Sequence, residues 1–335
     1  MSGIKDVARE AGVSIATVSR ALRGLPRVSD ETRERVLAAA ARMEYVASPH
    51  AASLKSGQTR TVGVVVPNVT RWFFGSVIHG AEELLRQEGY DVLLYDITGD
   101  PEARHRLFST HLLSKRVDAV MVLAVRPTPE EVASLVRVGS PTVVVGGYVP
   151  EWPSVRIDDV LASRTAVRHL IELGHERIAH IGGTPDPEHA GLQLPTPHDR
   201  LEGYRQTMAE AGLAIEPGWE AYGDFTARGG LTACQQLLDA PTRPTAIFAA
   251  SDEMAIGAVH ALRKAGLRVP EDISVVGIDD HELSEFFDLT TVAQPAHDLG
   301  HRGARILLDA LAGHTPTGLV LPTRLVARGS SAGAP

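Results

Sequence analysis

A chain of 335 residues, 44% apolar and with a formal net charge of −8, is long enough for two or three domain-sized units with their own cores. Its single cysteine, Cys234, excludes an intrachain disulfide framework and fits a reducing compartment. No apolar run reaches the roughly 18 residues of a membrane span, and the charged polar start, Met1–Asp6, is no signal peptide, so a cytoplasmic location without a membrane partner is expected.

The charge is unevenly spread. Residues 1–60 hold ten Lys/Arg and six Asp/Glu, so this head carries +4 and the remainder −12. A basic head on an acidic body is the footprint of a DNA reader with a separate regulatory part. Within the head, Ile4, Val7, Ala8 and Ala11 share one face of a short helix that Gly12 stops. Ser14 caps a second helix, Ile15 to Leu22, ended by Gly24, with Val18 and Leu22 turned inward. The run Ser29–Thr32 caps a third, carried by Val36, Leu37, Ala40 and Met43. Ala47-Ser48-Pro49 breaks the helical pattern, and a linker follows to Thr59.

From Thr61 onward short Val/Ile-rich strands alternate with amphipathic helices. Strands are predicted at 62–66, 92–95, 119–123 and 142–145, then at 178–181, 246–249 and 274–278. Helices are predicted at 73–88, 101–115, 160–173, 199–212, 226–239 and 252–265. Continuous apolar strands between helices mean parallel sheets covered on both faces. Two successive sets predict two doubly wound α/β subdomains with a cleft between them. The tail, Gly329 to Pro335, reads as disordered.

The two short helices around Gly12 are the most informative stretch. In the second, Ile15, Ala16, Ser19 and Arg20 lie outward. Arg20 can bond guanine O6 and N7, and Ile15 and Ala16 can touch thymine methyls. Thr17, Ser19 and the helix N-terminus at Ser14 suit phosphates. Spacing alone leaves an ordinary solvated helical hairpin open; the terminal position, the local charge and the following linker favour DNA. Enzyme signatures are missing: no phosphate loop, no nucleophile elbow, no His-Glu-x-x-His. His175, His180 and His189 suit no common metal motif, and Cys234 reads as a packing residue. No catalytic residue, cofactor or metal is therefore expected.

The segment from Ile4-Lys5-Asp6-Val7-Ala8 through Gly12-Val13-Ser14 to Thr17-Val18-Ser19-Arg20 resembles the headpiece of the LacI/GalR family of bacterial repressors. The likeness continues in Tyr45–Lys55, Val62–Pro67, Leu170–His175, Ser251–Ala258 and Gly277–Asp280. It implies a helix-turn-helix domain over 1–46 and a hinge helix with linker over 47–60. Ala51, Leu54 and Lys55 would then meet the minor groove of a palindromic operator, Leu54 wedging into a central CG step and kinking it. The resemblance further implies a core like that of periplasmic sugar-binding proteins, crossed three times near 159, 292 and 318. One subdomain would comprise 61–158 plus 293–317 and the other 159–292 plus 318–330, with 331–335 as tail.

Ligands of such folds bind between the lobes, where strand ends converge. Asp279 follows the last strong strand, where a carboxylate can accept bonds from sugar hydroxyls, and it matches the family's ligand aspartate. Arg200 resembles its ligand arginine. Trp72, Phe73 and Phe74 stand where the family places stacking residues, with Phe225 in a similar position in the other lobe. Asp252 can cap the helix it begins or touch ligand; both readings stay open. Gly146-Gly147, Ser251 and the proline-rich loop 191–197 depart from the pattern and leave the ligand unspecified, a sugar or glycoside favoured over a purine. The expected partners are double-stranded operator DNA, this small-molecule effector and a second copy of the chain, since no leucine-rich C-terminal helix offers tetramerisation. Inducer and corepressor both fit. A transport binding protein would lack the head, and an architectural protein would not need the acidic body.

Overall fold

The computed structural model describes residues 3–22, 24–45, 58–97, 101–109, 116–184 and 195–335. The chain divides into a unit ending at Arg60 and a unit beginning at Thr61.

The first unit contains α1 (Ile4–Ala11), α2 (Ile15–Leu22) and α3 (Asp30–Arg42). Val7, Val18 and Val36 are fully buried and close the core with Ala8, Ala11, Ala21, Ala39 and Ala40. Gly12 turns the chain between α1 and α2 at φ 66°, a conformation that a Cβ would strain. Two arginines of α3 serve the ends of the other helices. Arg33 donates to the carbonyls of Ala21 and Leu25, both at 2.9 Å, and Arg35 Nε donates to the Ala11 carbonyl at 3.1 Å. The bonds to Ala21 and Ala11 reach carbonyls in the last turns of α2 and α1, which a helix end leaves open. Leu37, expected inside, is 46% exposed. The buried stripe of α3 runs through Val36, Ala39 and Ala40, and Leu37 falls a further 100° round the helix.

The second unit holds two sheets. The first is ordered β11-β5-β4-β3-β1-β2, built from β1 (Thr61–Val66), β2 (Asp91–Asp96), β3 (Ala119–Leu123), β4 (Thr142–Val145), β5 (Ser154–Arg156) and β11 (Leu319–Val320). All its pairings are parallel, with Val62 beside both Val92 and Ala119. The second is ordered β12-β10-β9-β8-β6-β7, from β6 (Ile178–Gly182), β7 (Glu220–Tyr222), β8 (Ala246–Ala249), β9 (Ser274–Asp279), β10 (Thr290–Ala293) and β12 (Arg324–Val326). Only β12 runs antiparallel there, beside β10. Strands β3, β4, β8 and β9 are buried at every residue, as helices on both faces require.

The helices of this unit are α4 (Trp72–Gln87), α5 (Pro101–Ser109), α6 (Pro129–Val138), α7 (Asp159–Glu172), α8 (Pro195–Glu210), α9 (Ala227–Leu238), α10 (Asp252–Lys264) and α11 (Ala296–Leu311). Helices α6 and α11 lie outside the predicted set. Thr128 and Glu131 form a capping box that starts α6, and Gly139 ends it at φ 71°. The predicted 101–115 helix is described only to Ser109. Helix α8 begins at Pro195, four residues before its predicted start, because proline fits a first helical turn.

The chain passes between lobes before α7, after β10 and between β11 and β12. The third passage falls at Leu321–Thr323 rather than near 318, since Leu319 and Val320 pair with Val155 and Arg156 in the first sheet. The tail also departs from its expected disorder. Ser330 is buried; its hydroxyl donates to the Val275 carbonyl at 2.6 Å and accepts from the Thr290 amide at 2.8 Å. Ala334 N donates to the Leu173 carbonyl at 2.9 Å. The small tail residues let their backbone lie against the second lobe, which supplies the partners that a polar tail alone lacks.

Candidate binding sites: the interlobe cavity and the helix-turn-helix surface

In the second unit the C-terminal ends of both sheets converge. Asn68 follows β1, Ala124 follows β3, Gly146 follows β4, Ser251 follows β8, Asp279 ends β9 and Gln294 follows β10. All six line one cavity of about 230 Å³ between the lobes. Such a position is where open α/β sheets bind ligands.

Asp279 is buried, with backbone at φ 141°. Its Oδ1 accepts from Gln294 Nε2 at 2.6 Å, and its Oδ2 from the Asp252 amide at 3.4 Å. Arg200 Nη1 lies 3.9 Å from the same carboxylate. Arg200 is itself clamped: Nε donates to Asp159 Oδ1 at 2.8 Å, and Nη1 donates to the Ala250 carbonyl. Burial pushes the Asp279 carboxyl well above the ordinary carboxylate range; Arg200 opposes this and Asp252 adds to it. Burial likewise raises Asp159 against the pull of Arg200. These groups form a dry polar pole able to donate to and accept from ligand hydroxyls.

The remaining surface is largely apolar. Phe73 and Phe74 meet edge to face at 5.4 Å, and Phe73 packs over Gly146, whose missing side chain makes room for the ring. Phe225 enters from the second lobe on a left-handed turn with Asp224, at φ 56° and 48°. Asp224 holds that turn by accepting from the amide and hydroxyl of Thr184 at 2.9 and 2.8 Å. Thr196 and Pro197 line the cavity from the first turn of α8.

Five of the predicted effector residues therefore meet in one place: Phe73, Phe74, Arg200, Phe225 and Asp279. Two do not. Asp252 is fully buried, and its carboxylate accepts from His281 N at 2.9 Å, Ser284 Oγ at 2.7 Å and Thr291 Oγ1 at 2.7 Å. With its oxygens so occupied it ties β8, β9 and β10 together. Gly277 exists for this knot, because a Cβ there would stand 2.0 Å from Asp252 Oδ1. Ser251, not Asp252, caps α10, accepting from Met254 N. Trp72 points away from the cavity and rests on His281, ring centroids 4.9 Å apart. It lines a separate groove beside Gln294, Pro295 and Arg324.

Sequence reasoning missed Asn68, Arg71, Asp159, Glu253 and Gln294 as cavity residues. A strand-end rule would have found Asn68 and Gln294. Asp159 follows a second acid, Asp158, which caps α7 by accepting from Leu161 N; nothing local tells the two apart.

On the head, Ile15, Ala16, Ser14 and Arg20 are exposed, and Thr17 and Ser19 are half-buried. Ser14 Oγ caps α2 by accepting from Thr17 N at 3.1 Å. Arg9 pairs with Asp6 and Arg42 with Glu10, whereas Arg20 has no side-chain partner among the described residues. Its guanidinium is therefore open to a ligand. Ala51, Leu54 and Lys55 lie outside the described residues.

A helix-turn-helix head and a two-lobed α/β domain with a cavity at its strand ends define a ligand-responsive DNA-binding protein. Comparison with known proteins makes the class specific. Residues 3–48 match the model for bacterial regulatory proteins of the lacI family, and residues 167–331 that for a periplasmic binding protein-like domain. The chain is 38% identical to the HTH-type transcriptional repressor CytR of Escherichia coli (strain K12), over 99% of this chain and 97% of that one. It superposes on the lac repressor dimer bound to operator and the anti-inducer ONPF with a TM-score of 0.86, at 29% identity and 99% coverage of both chains. The transcriptional regulator CelR–cellobiose complex matches at a TM-score of 0.72 and 34% identity, over 98% of this chain and all of that one. The chain belongs to the lacI family of bacterial regulatory proteins, and it is a DNA-binding transcriptional regulator. No helix among the described residues is long and apolar enough to cross a membrane.

Proposed function

We propose that this regulator is a cytoplasmic repressor that binds a palindromic operator as a homodimer and releases or tightens on it when a sugar or glycoside fills the interlobe cavity. The carrying observation is the cavity's division into a polar pole, Asp279–Arg200–Asp159–Gln294, and an apolar surface of Phe73, Phe74 and Phe225. A sugar has the same division, with hydroxyls at the ring edge and apolar faces. The relatives above include a cellobiose complex, which supports this class of effector. Arg20, Ile15 and Ala16 read base edges, and Ser14, Thr17 and Ser19 with the start of α2 hold phosphates. Leu54, flanked by Ala51 and Lys55, wedges into the central step of the operator. The relatives are regulators, and the chain is read as one that carries out no catalysis.

Control follows from linkage: a ligand shifts DNA affinity only through its different affinities for the two arrangements of the lobes. The test is selection of random duplexes by the purified chain, with and without a pool of neutral sugars. Enriched palindromes with a central CG step, lost or gained with the pool, are expected. Enrichment of unrelated duplexes, or enrichment that the Leu54→Ala chain reproduces in full, would remove the proposed operator geometry.

A further inference from the structure

Six charged side chains line the cavity: Arg71, Asp159, Arg200, Asp224, Glu253 and Asp279. Four of them have firm partners. Asp159 and Arg200 hold each other, Asp279 holds Gln294, and Asp224 holds Thr184. Arg71 and Glu253 make no side-chain hydrogen bond or ion pair among the described residues. Both are half-buried. They come from opposite lobes: Arg71 immediately precedes α4 in the first, and Glu253 sits in the first turn of α10 in the second. They are close enough for Arg71 to favour the ionised Glu253 carboxylate, while burial disfavours it. A half-buried charge without a partner is costly unless something satisfies it.

The balance of charge also limits what can enter. Four carboxyl groups and two guanidiniums line the space, so an added anion finds both guanidiniums already facing acids, Arg200 against Asp159 and Arg71 near Glu253. A neutral molecule with adjacent hydroxyls meets no such barrier. One hydroxyl oxygen can accept from a guanidinium while its neighbour donates to a carboxylate.

We infer that Arg71 and Glu253 are specificity-determining residues that grip one polar edge of a neutral polyhydroxylated effector from the two lobes, Arg71 donating and Glu253 accepting. This inference rests on the sugar reading of the cavity. It adds a second polar grip to the Asp279 pole and makes that grip depend on where the lobes stand. An effector gripped by Arg71 and Glu253 is then hydrogen-bonded to both lobes, whereas one held at Asp279 meets the first lobe chiefly through Phe73 and Phe74.

The experiment is calorimetric titration of the full chain with three probes: cellobiose, D-ribose and D-glucose 6-phosphate. It is repeated on Arg71→Gln, Arg71→Lys and Glu253→Gln, with the melting temperature of each unliganded variant. A neutral probe is expected to bind the unmutated chain more tightly than the phosphate does. Arg71→Gln and Glu253→Gln should each weaken it about ten- to a hundredfold, the worth of a hydrogen bond to a charged group. Arg71→Lys should recover part of the loss, and the unliganded melting temperatures should hold, since neither side chain bonds the protein. Neutral-probe binding that survives both neutral substitutions overturns the inference and leaves the sugar reading standing. Tighter binding of the phosphate, or loss of affinity matched by a fall in melting temperature, overturns it too. Binding of neither neutral probe to the unmutated chain overturns the sugar reading itself.

Discussion

The two walls of the cavity are built by different means. On the first lobe the lining is the start of α4 and three strand ends, where Phe73 touches Phe74 and the bare backbone of Gly146. Their contacts are van der Waals, and no hydrogen bond fixes either ring. On the second lobe the polar groups around Asp279 are held by one another. Asp279 is braced by Gln294 and the Asp252 amide, Arg200 by Asp159 and the Ala250 carbonyl, and Asp252 by three donors from two further segments. A preorganised polar wall sets orientation and specificity, and an apolar wall contributes affinity that tolerates movement. The lobe that follows the DNA-reading head therefore carries the adaptable wall.

Damage to the second wall should act on its whole fabric. Asp252→Ala leaves the amide of His281 and the hydroxyls of Ser284 and Thr291 without an acceptor in a dry interior. A loss of about 3–5 kcal/mol is expected in urea unfolding, together with loss of sugar binding. Full sugar affinity in a folded Asp252→Ala chain would show that the polar pole does not need its brace.

The dryness of that lobe can be tested through His180. Its ring lies between Tyr204 and Phe248, at 5.1 and 4.9 Å; Nδ1 donates to the Phe248 carbonyl, and Nε2 has no partner among the described residues. Burial lowers its pKa from 6.5 to about 4. A group depressed on folding adds stability above its unfolded pKa and loses it as pH falls through the folded one. The unmutated chain should therefore lose about 3 kcal/mol more than His180→Phe as pH drops from 6.5 to 4. Parallel stability curves for the two chains would mean that the ring is solvated. On the apolar wall the effect should be smaller and confined to ligand. Phe73→Ala should weaken the neutral sugar about tenfold, the worth of roughly 1.4 kcal/mol of buried apolar contact, with a modest change in unfolding.

How far the sequence reveals these walls depends on what holds each one. Continuous runs such as Val62–Val66 and Ala119–Leu123 declare buried parallel strands. Strands β5 and β10 are less visible because Ser154, Thr290 and Thr291 interrupt the apolar pattern; all three are buried, and the two threonines hydrogen-bond to distant segments. The same distance hid the role of Asp252. Its donors stand 29, 32 and 39 residues away, so no local pattern could separate a ligand contact from an internal knot. Asp279 was legible from a strand end and a family motif, and Arg200 from the family motif alone. Arg71 lacked any such mark, and Glu253, although inside the family-like segment Ser251–Ala258, was passed over because a charge at a helix start is ordinarily read as a solvated one.

Trp72 gives the smallest effect and the finest discrimination. It adjoins Phe73 in sequence, yet one step along a helix turns a side chain by about 100°, and Trp72 faces His281 rather than the cavity. Its contact joins the lobes without touching ligand. Trp72→Phe should then change sugar affinity by less than about threefold, since most of its apolar contact is kept. The other two tryptophans, Trp152 and Trp219, are buried inside single lobes at 9% and 2% exposure. A change in tryptophan emission on sugar binding should therefore come from Trp72 and vanish in Trp72→Phe. An emission change that survives the substitution would place the ligand-driven rearrangement inside a lobe; a large loss of affinity would return Trp72 to the ligand wall and blur the division between the two walls.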